Sequence, residues 1–382
     1  MIEELANFAV QTFYIPFPED QMFNDFFVPI NAHAVRNSSS TVMSIIALAI
    51  STDNTIIWYD HWEDGYDADS SNITSASKKT EVWGDGNASN GCQPTIRCTD
   101  ATDLLMAGTS FVIQNEVVAI RNKAVYKYDG GDKVATNFPI AITRGGYPMN
   151  PGSLLAGAME VLDTSSWGKE FISPVGNNTV KASFDFSAFL VMAKDANTTV
   201  QLRDPLDSNK LLATHRLNEG ESRLFGTKIS QSLISDKPVQ VAMITGDIDS
   251  IYESRWYSLL DVAQWSTKYV TPTGETFGRT KLVLYNPNNF TITVNMETRN
   301  RSTGAPIFLN MTVTRMNYAL SGYVSDDTGA LVTSLHKFLP LSITDAEQKS
   351  SNGNWTMCET YDWGFPVQPL DDLTSQVLIA WG

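Results

Sequence analysis

The chain has 382 residues, a formal net charge of −15 and only 27 basic residues. No Lys/Arg cluster stands out against that acidic background, which excludes a phosphate backbone as the natural partner and leaves cations or neutral glycans. The longest apolar runs, Thr41 to Ile50 and Phe186 to Ala193, are too short to cross a bilayer as helices.

In chain order, the N-terminal stretch MIEELANFAVQTF carries no basic n-region, apolar h-region or cleavage site, so no secretion signal is read there. Beyond it, Val, Ile, Thr and aromatic residues recur in short runs punctuated by Gly, Pro, Asn and Asp, the composition of an all-β protein. Ser44 to Asp60 reads as an apolar strand, an Asx-rich turn and a return strand. The same element recurs from Ala188 to Asp204 and from Lys281 to Glu297, and each is expected to be a β-hairpin with one buried face.

The first return strand runs into WYDHWEDGYDAD, Trp58 to Asp69, where five carboxylates crowd around His61 and Gly65. Asp60, Glu63, Asp64, Asp67 and Asp69, with Asp85 in the nearby WGDGN, supply the oxygen ligands that Ca²⁺ takes six to eight at a time. The spacing is not that of an EF-hand. Asp247 and Asp249 in TGDIDS form a second candidate, against an ordinary Asx turn. Two carboxylates beside Trp58 and Trp62, with His61 as base, imitate a glycosidase site, but such pairs normally converge from separate strands. G-x-S-x-G, P-loop, G-x-G-x-x-G and H-E-x-x-H motifs are all missing from the sequence, and no catalytic residue is assigned.

Cys92 and Cys98 flank a Gly- and Pro-containing loop and are expected to pair in an oxidising compartment, leaving Cys358 over. Glycosylation acceptors stand at Asn37, Asn72, Asn87, Asn177, Asn197, Asn289, Asn300, Asn310 and Asn354, about double the roughly four expected by chance, which points outside the cell.

Asp163 to Gly176, DTSSWGKEFISPVG, aligns without gaps to Asp261 to Gly274, DVAQWSTKYVTPTG. Trp363 in YDWGF stands at the same spacing after Trp265 as Trp265 does after Trp167, although the following residues diverge. Three tandem β-sandwich modules follow: residues 8–176, with an acidic insertion over about 60–101, then 177–275, and a divergent third at 276–382. Radial packing of the units, as in a propeller, is the alternative. Single helical turns are expected at Leu154 to Val161 and Ser258 to Gln264. Trp167 and Trp265, needed by each copy, read as core rather than as sugar platforms. Arg144 and Arg255 are candidates to clamp carboxylates of the acidic loops. The closing QVLIAWG reads as a strand that continues beyond Gly382.

The Pro-led strand followed by Trp-(Gly/Ser)-X-X-(Phe/Tyr)-(Ile/Val)-X-Pro resembles the repeat of the IgGFc-binding-protein N-terminal domain family. YIPFPEDQ, WYDHWEDGYD, VWGDGN, ITRGGYP and ITGDIDSIYESRW are similar to a branch of large surface and secreted proteins from bacteria, fungi and protists. The resemblance implies an extracellular, repeat-built, non-catalytic role in adhesion, matrix or mucus-like layers. Immunoglobulin binding does not follow, because no Fc-contacting position maps onto this chain. The expectation is a secreted, N-glycosylated, calcium-stabilised structural or adhesive protein that partners matrix proteins, glycans or copies of itself. A glycan-binding lectin and a polysaccharide-active enzyme are the alternatives.

Overall fold

The computed structural model describes residues 11–30, 40–71, 80–93, 103–150, 152, 155–176, 184–246, 248, 254–273, 280–344, 347–349, 355–357 and 363–373. Eight strands come first: β1 (Gln11–Tyr14), β2 (Thr41–Ile50), β3 (Ile57–Asp60), β4 (Glu81–Trp83), β5 (Ser110–Val118), β6 (Lys133–Thr136), β7 (Ile140–Pro148) and β8 (Gly157–Val161). They form two four-stranded sheets, β1-β6-β3-β4 and β5-β2-β7-β8. Ile46, Leu48, Tyr59, Trp83, Ile113 and Val134 fill the space between them.

The next seven strands are β9 (Gly168–Ile172), β10 (Phe186–Ala193), β11 (Thr198–Asp204), β12 (Lys210–Leu217), β13 (Ser222–Gly226), β14 (Ser232–Gly246) and β15 (Arg255–Ser258). They repeat both layers, because the 15-residue β14 serves one with its first half and the other with its second. Ser232 to Ser235 pair with β11, and Val239 to Gly246 pair with β10. The same pattern returns in β16 (Ser266–Thr273), β17 (Thr280–Asn286), β18 (Ile292–Arg299), β19 (Pro306–Val313), β20 (Asn317–Leu320) and the 17-residue β21 (Thr328–Thr344), followed by the small hairpin β22 (Glu347–Lys349) and β23 (Trp355–Met357) and then β24 (Gly364–Pro366). In the first unit the long strand is interrupted at Asn137–Pro139, giving β6 and β7 separately.

Three all-β units of one topology result, and they correct several readings of the sequence. The repeated strand–Asx turn–strand element is an arch, not a hairpin: β2 pairs with β5 and β7 while β3 pairs with β4 and β6, and β10/β11 and β17/β18 behave alike. Both strands of an arch present an apolar face to the same core from opposite sheets, so their alternation imitates a hairpin's. Residues 157–161 are a strand rather than a helical turn, whereas Val262–Gln264 is a 3₁₀ turn. A helical run from Glu19 to Ile30, built around a π-helix, has no counterpart in the sequence reading. It buries Met22, Phe23, Phe26, Phe27 and Ile30.

The repeated Asp-x-x-x-Trp peptide is an elbow at the end of each unit, and the strand after it opens the next. Asp163 and Asp261 precede 3₁₀ turns with φ of −58° and −56°, and Pro369 precedes Leu370–Asp372 with φ −55°. The third elbow therefore lies at Pro369 to Leu373, and Trp363, 41% exposed, is not its tryptophan. Trp167 and Trp265 are buried and each indole N–H donates to the carbonyl five residues earlier, Leu162 O at 3.0 Å and Leu260 O at 3.2 Å. Asp163 accepts from Thr12 N in β1, while Asp261 accepts from Lys169 N and Glu170 N in β9, so each elbow closes its unit onto that unit's own first strand.

The units share cores. Phe17, Phe26 and Met159 of the first join Leu190, Ile244 and Trp256 of the second in one cluster, with Phe17 stacked on Trp256 at 4.6 Å. Trp265 of the second meets Tyr285 of the third edge-on at 6.0 Å. Apolar burial of this extent, at about 25 cal/mol per Å², fixes neighbours rather than letting them swing.

Candidate functional site

All four residues of β3, Ile57-Trp-Tyr-Asp60, are buried, and Tyr59 stacks on Trp83 at 4.9 Å. The chain leaves the strand at His61, makes a 3₁₀ turn over Trp62–Asp64 and reverses at Gly65, whose φ of 85° an L side chain rarely adopts. Asp60 Oδ2 then accepts from Asp67 N at 2.8 Å and Ser70 Oγ at 3.3 Å, which ties the base of the acidic loop shut.

The facing wall comes from a turn that was not recognised as functional, Tyr128-Asp-Gly-Gly-Asp132. Asp132 is fully buried; it accepts from Trp62 N at 3.2 Å through Oδ1 and from Tyr59 Oη at 2.8 Å and Asp129 N at 3.0 Å through Oδ2. Asp129 accepts from the Trp62 indole at 2.9 Å. Arg121 lies over that indole, its guanidinium 3.4 Å from the ring centroid, and donates to Gly130 O. Glu19, from the helical run, accepts from Gly130 N and pairs with buried Arg144.

His61 is the cation at the centre. Nδ1 lies 3.0 Å from Lys127 O and 3.6 Å from Asp132 Oδ2, and Nε2 lies 3.4 Å from Glu81 Oε1. Burial opposes its charged form, but the contacts with Asp132 and Glu81 outweigh burial and carry its pKa up to about 11. With both ring nitrogens facing acceptors, the imidazolium donates twice. Burial alone would raise Glu81; hydrogen bonds from His61, Tyr128 and Trp83 hold it below its ordinary range.

The remaining carboxylates lack such compensation. Burial, then the charge of Asp67, lifts Asp60 to about 6, and burial with the charge of Asp132 lifts Glu63 to about 7. Asp129 is raised strongly, by burial and by Glu19, Asp132 and Glu63. Asp60 Oδ1 and Glu63 Oε2 are buried and accept no hydrogen bond among the described residues. His61, Glu63 and Asp132 each place one ligand-type atom within 4.8 Å of the others.

Of the eight residues read as metal ligands, the structure gathers Asp60, Glu63, Asp64 and Asp67 into or beside this network. Asp69 and Asp85 lie apart on the surface: Asp69 accepts from Ser71 N and Oγ, and Asp85 from Asn87 N and Asn90 Nδ2. Asp247 and Asp249 lie outside the described residues. Glu19, Glu81, Asp129 and Asp132 were missed; the doubled glycine between two aspartates in YDGGD was the signal available. Arg144 does not clamp the loop, since it serves Glu19, Pro16 O, Phe17 O and Ser44 Oγ; Arg255 donates to Thr344 O of the third unit. Cys92 is disulfide-bonded, and Cys98 and Cys358 lie outside the described residues. Asn87, Asn197, Asn289, Asn300 and Asn310 are exposed, while Asn37, Asn72, Asn177 and Asn354 lie outside the described residues.

The outer side of the loop abuts the second unit. The Tyr66 hydroxyl donates to Gly131 O at 2.6 Å, and its ring packs against Gly220. Tyr14 Oη donates to Glu219 Oε1 at 2.6 Å, and Lys133 Nζ reaches both Asp67 O at 2.8 Å and Glu219 at 3.4 Å. The acidic stretch thus turns its carboxylates inward on hydrogen bonds, while its Tyr66 ring packs on the second unit at Gly220, beside the contacts of Tyr14 and Lys133 with Glu219.

No curated protein matches the sequence. The family model described as IgGFc binding protein matches residues 55–326, which run from the arch of the first unit into the third, and the chain belongs to that family.

Proposed function

We propose that this protein is a secreted, non-catalytic structural or adhesive block of an extracellular layer or appendage, N-glycosylated and stiffened by calcium, which works through contacts with matrix proteins, glycans or further copies of itself. The observation that carries the reading is the use of the acidic loop. Groups that would have to face a cleft to act on a sugar are instead turned inward: Asp132 accepts from three donors, Asp60 closes its own loop, Trp58 and Tyr59 are buried, and one face of the Trp62 ring is covered by the Arg121 guanidinium. Shared cores on both sides of the second unit suit a part that transmits load.

Calcium fits one side of the network. His61 already pairs with Asp132 and Glu81, while Asp60 and Glu63 each retain a buried oxygen without a donor among the described residues. Each of these carboxylates offers an oxygen of the kind Ca²⁺ prefers, and an ion beside it would supply the charge it lacks.

The test is electron microscopy of native material combined with light scattering of purified protein in calcium and in chelator. Filaments, sheets or calcium-dependent association support the reading. A monodisperse monomer under all conditions, or turnover of a polysaccharide abolished by Glu63→Gln, overturns it.

A further inference from the structure

We infer that the glycan acceptor Asn310 forms a built unit with Phe308, in which the first sugar of an N-linked glycan lies on the phenyl ring and covers the open edge of the third unit. The inference rests on the secreted, N-glycosylated reading and deepens it. Among the nine acceptor sequences, Phe308-Leu-Asn310-Met-Thr312 is the one with an aromatic residue two positions before the asparagine. The fold gives that spacing its meaning. β19 is a regular strand, paired residue for residue with β18 from Ile292↔Val313 to Arg299↔Pro306. Alternate side chains of a strand share a face. Met311 and Val313 turn toward the core, so Phe308, Asn310 and Thr312 stand together on the solvent side.

Phe308 is 70% exposed, and Leu309 beside it 37%, on a strand that is the outermost of its sheet. An apolar ring on an unpaired edge is a liability that folds normally cover or charge. A glycan covers both the ring and the edge here. The apolar face of its first N-acetylglucosamine has C–H groups to set against the ring, and its bulk bars a second strand from adding to β19. The linkage is ordinary oligosaccharyl transfer. Asn310 Nδ2 forms a bond to sugar C1, the C1–oxygen bond to the polyisoprenyl pyrophosphate donor breaks, the amide gives up a proton, and the lipid pyrophosphate leaves with the electron pair.

The experiment is a double-mutant cycle of Asn310→Gln and Phe308→Thr in protein made by a eukaryotic secretory line, repeated in protein made in a bacterial cytoplasm, with glycopeptide mass spectrometry of all nine acceptors. Both positions are exposed, so neither substitution threatens folding. Expected are full occupancy at Asn310, a melting temperature lowered by about 2 °C when either partner is lost, and no further loss when both are. The coupling vanishes in bacterial protein, which also self-associates until Phe308 is replaced. Trimming the glycan to a single N-acetylglucosamine leaves the stability intact. Independent, additive effects of the two substitutions, or an empty Asn310 beside occupied neighbours, overturn the inference while leaving the N-glycosylated reading in place. Nine empty acceptors overturn both.

Discussion

The ring of Tyr66, from the acidic loop of the first unit, packs so closely on the Cα of Gly220 in the second that a Cβ at position 220 would occupy the space of the phenol. Gly220 also has a φ of +68°. Gly220→Ala therefore meets both a backbone penalty and a clash, and is expected to cost about 2–4 kcal/mol. Denaturant unfolding checks the cost. Limited proteolysis should show cleavage near Tyr66 before the second unit opens, whereas an unchanged cleavage pattern would remove the joint from the loop's role.

Arg144 is fully buried with its donors distributed over Glu19, Ser44 and four backbone carbonyls, those of Pro16, Phe17, Ile45 and Gly145. Replacing it with Met leaves Glu19 charged and uncompensated, and a loss of about 3–5 kcal/mol is expected. Adding Glu19→Gln removes that charge and should recover part of the loss, a sign that repacking alone would not produce.

Asp261 receives the N–H groups of Lys169 and Glu170 and caps its own turn through Ala263 N at 2.6 Å. Asp261→Ala should cost about 1–2 kcal/mol and speed hydrogen exchange at those amides. Its counterpart Asp163→Ala should act likewise at Thr12 N, whose exchange rate is the direct readout.

Stability should fall as pH rises in chelator. Asp60 and Glu63 have folded pKa values near 6 and 7, above their ordinary carboxylate range, so between roughly pH 4 and 7 the folded chain binds more protons than the unfolded one and loses stability with each unit of pH. His61 acts in the same sense at higher pH: its stabilisation is complete below its ordinary value and is lost as pH rises through about 11. Calcium binds the ionised carboxylates, so its stabilisation should grow from pH 5 to pH 8. Glu63→Gln should flatten the pH profile and abolish the calcium response. Equal melting temperatures in calcium and chelator at pH 8 would count against the ion.

The all-β class was legible because β-branched and aromatic runs bounded by Gly, Pro and Asx residues leave little else to form. The repeat was legible because Trp167 and Trp265 are core residues with the same carbonyl partner in each copy. The third elbow was not. Pro369 and Leu373 replace Asp and Trp there, keeping the backbone angles while discarding the side chains that a comparison of letters can see. The helical run did carry a signal, Phe23, Phe26, Phe27 and Ile30 at the i, i+3, i+4, i+7 spacing of a helix face, but it is short, begins right after two prolines and lies in an otherwise β-rich composition.

The sequence by itself determined the strands, the repeat and the acidic stretch, since each is a local pattern of polarity and side-chain shape. Only the tertiary structure decided what the acidic stretch does. Whether a carboxylate faces solvent, an ion or a buried imidazolium depends on residues distant in the chain: Asp132 meets His61 across 71 positions and Glu219 meets Tyr14 across 205. The first encounter is set by how the strands of one unit come together and the second by how two units pack, and between them a run of charges that imitates an active site is turned inward beside the joint between two modules.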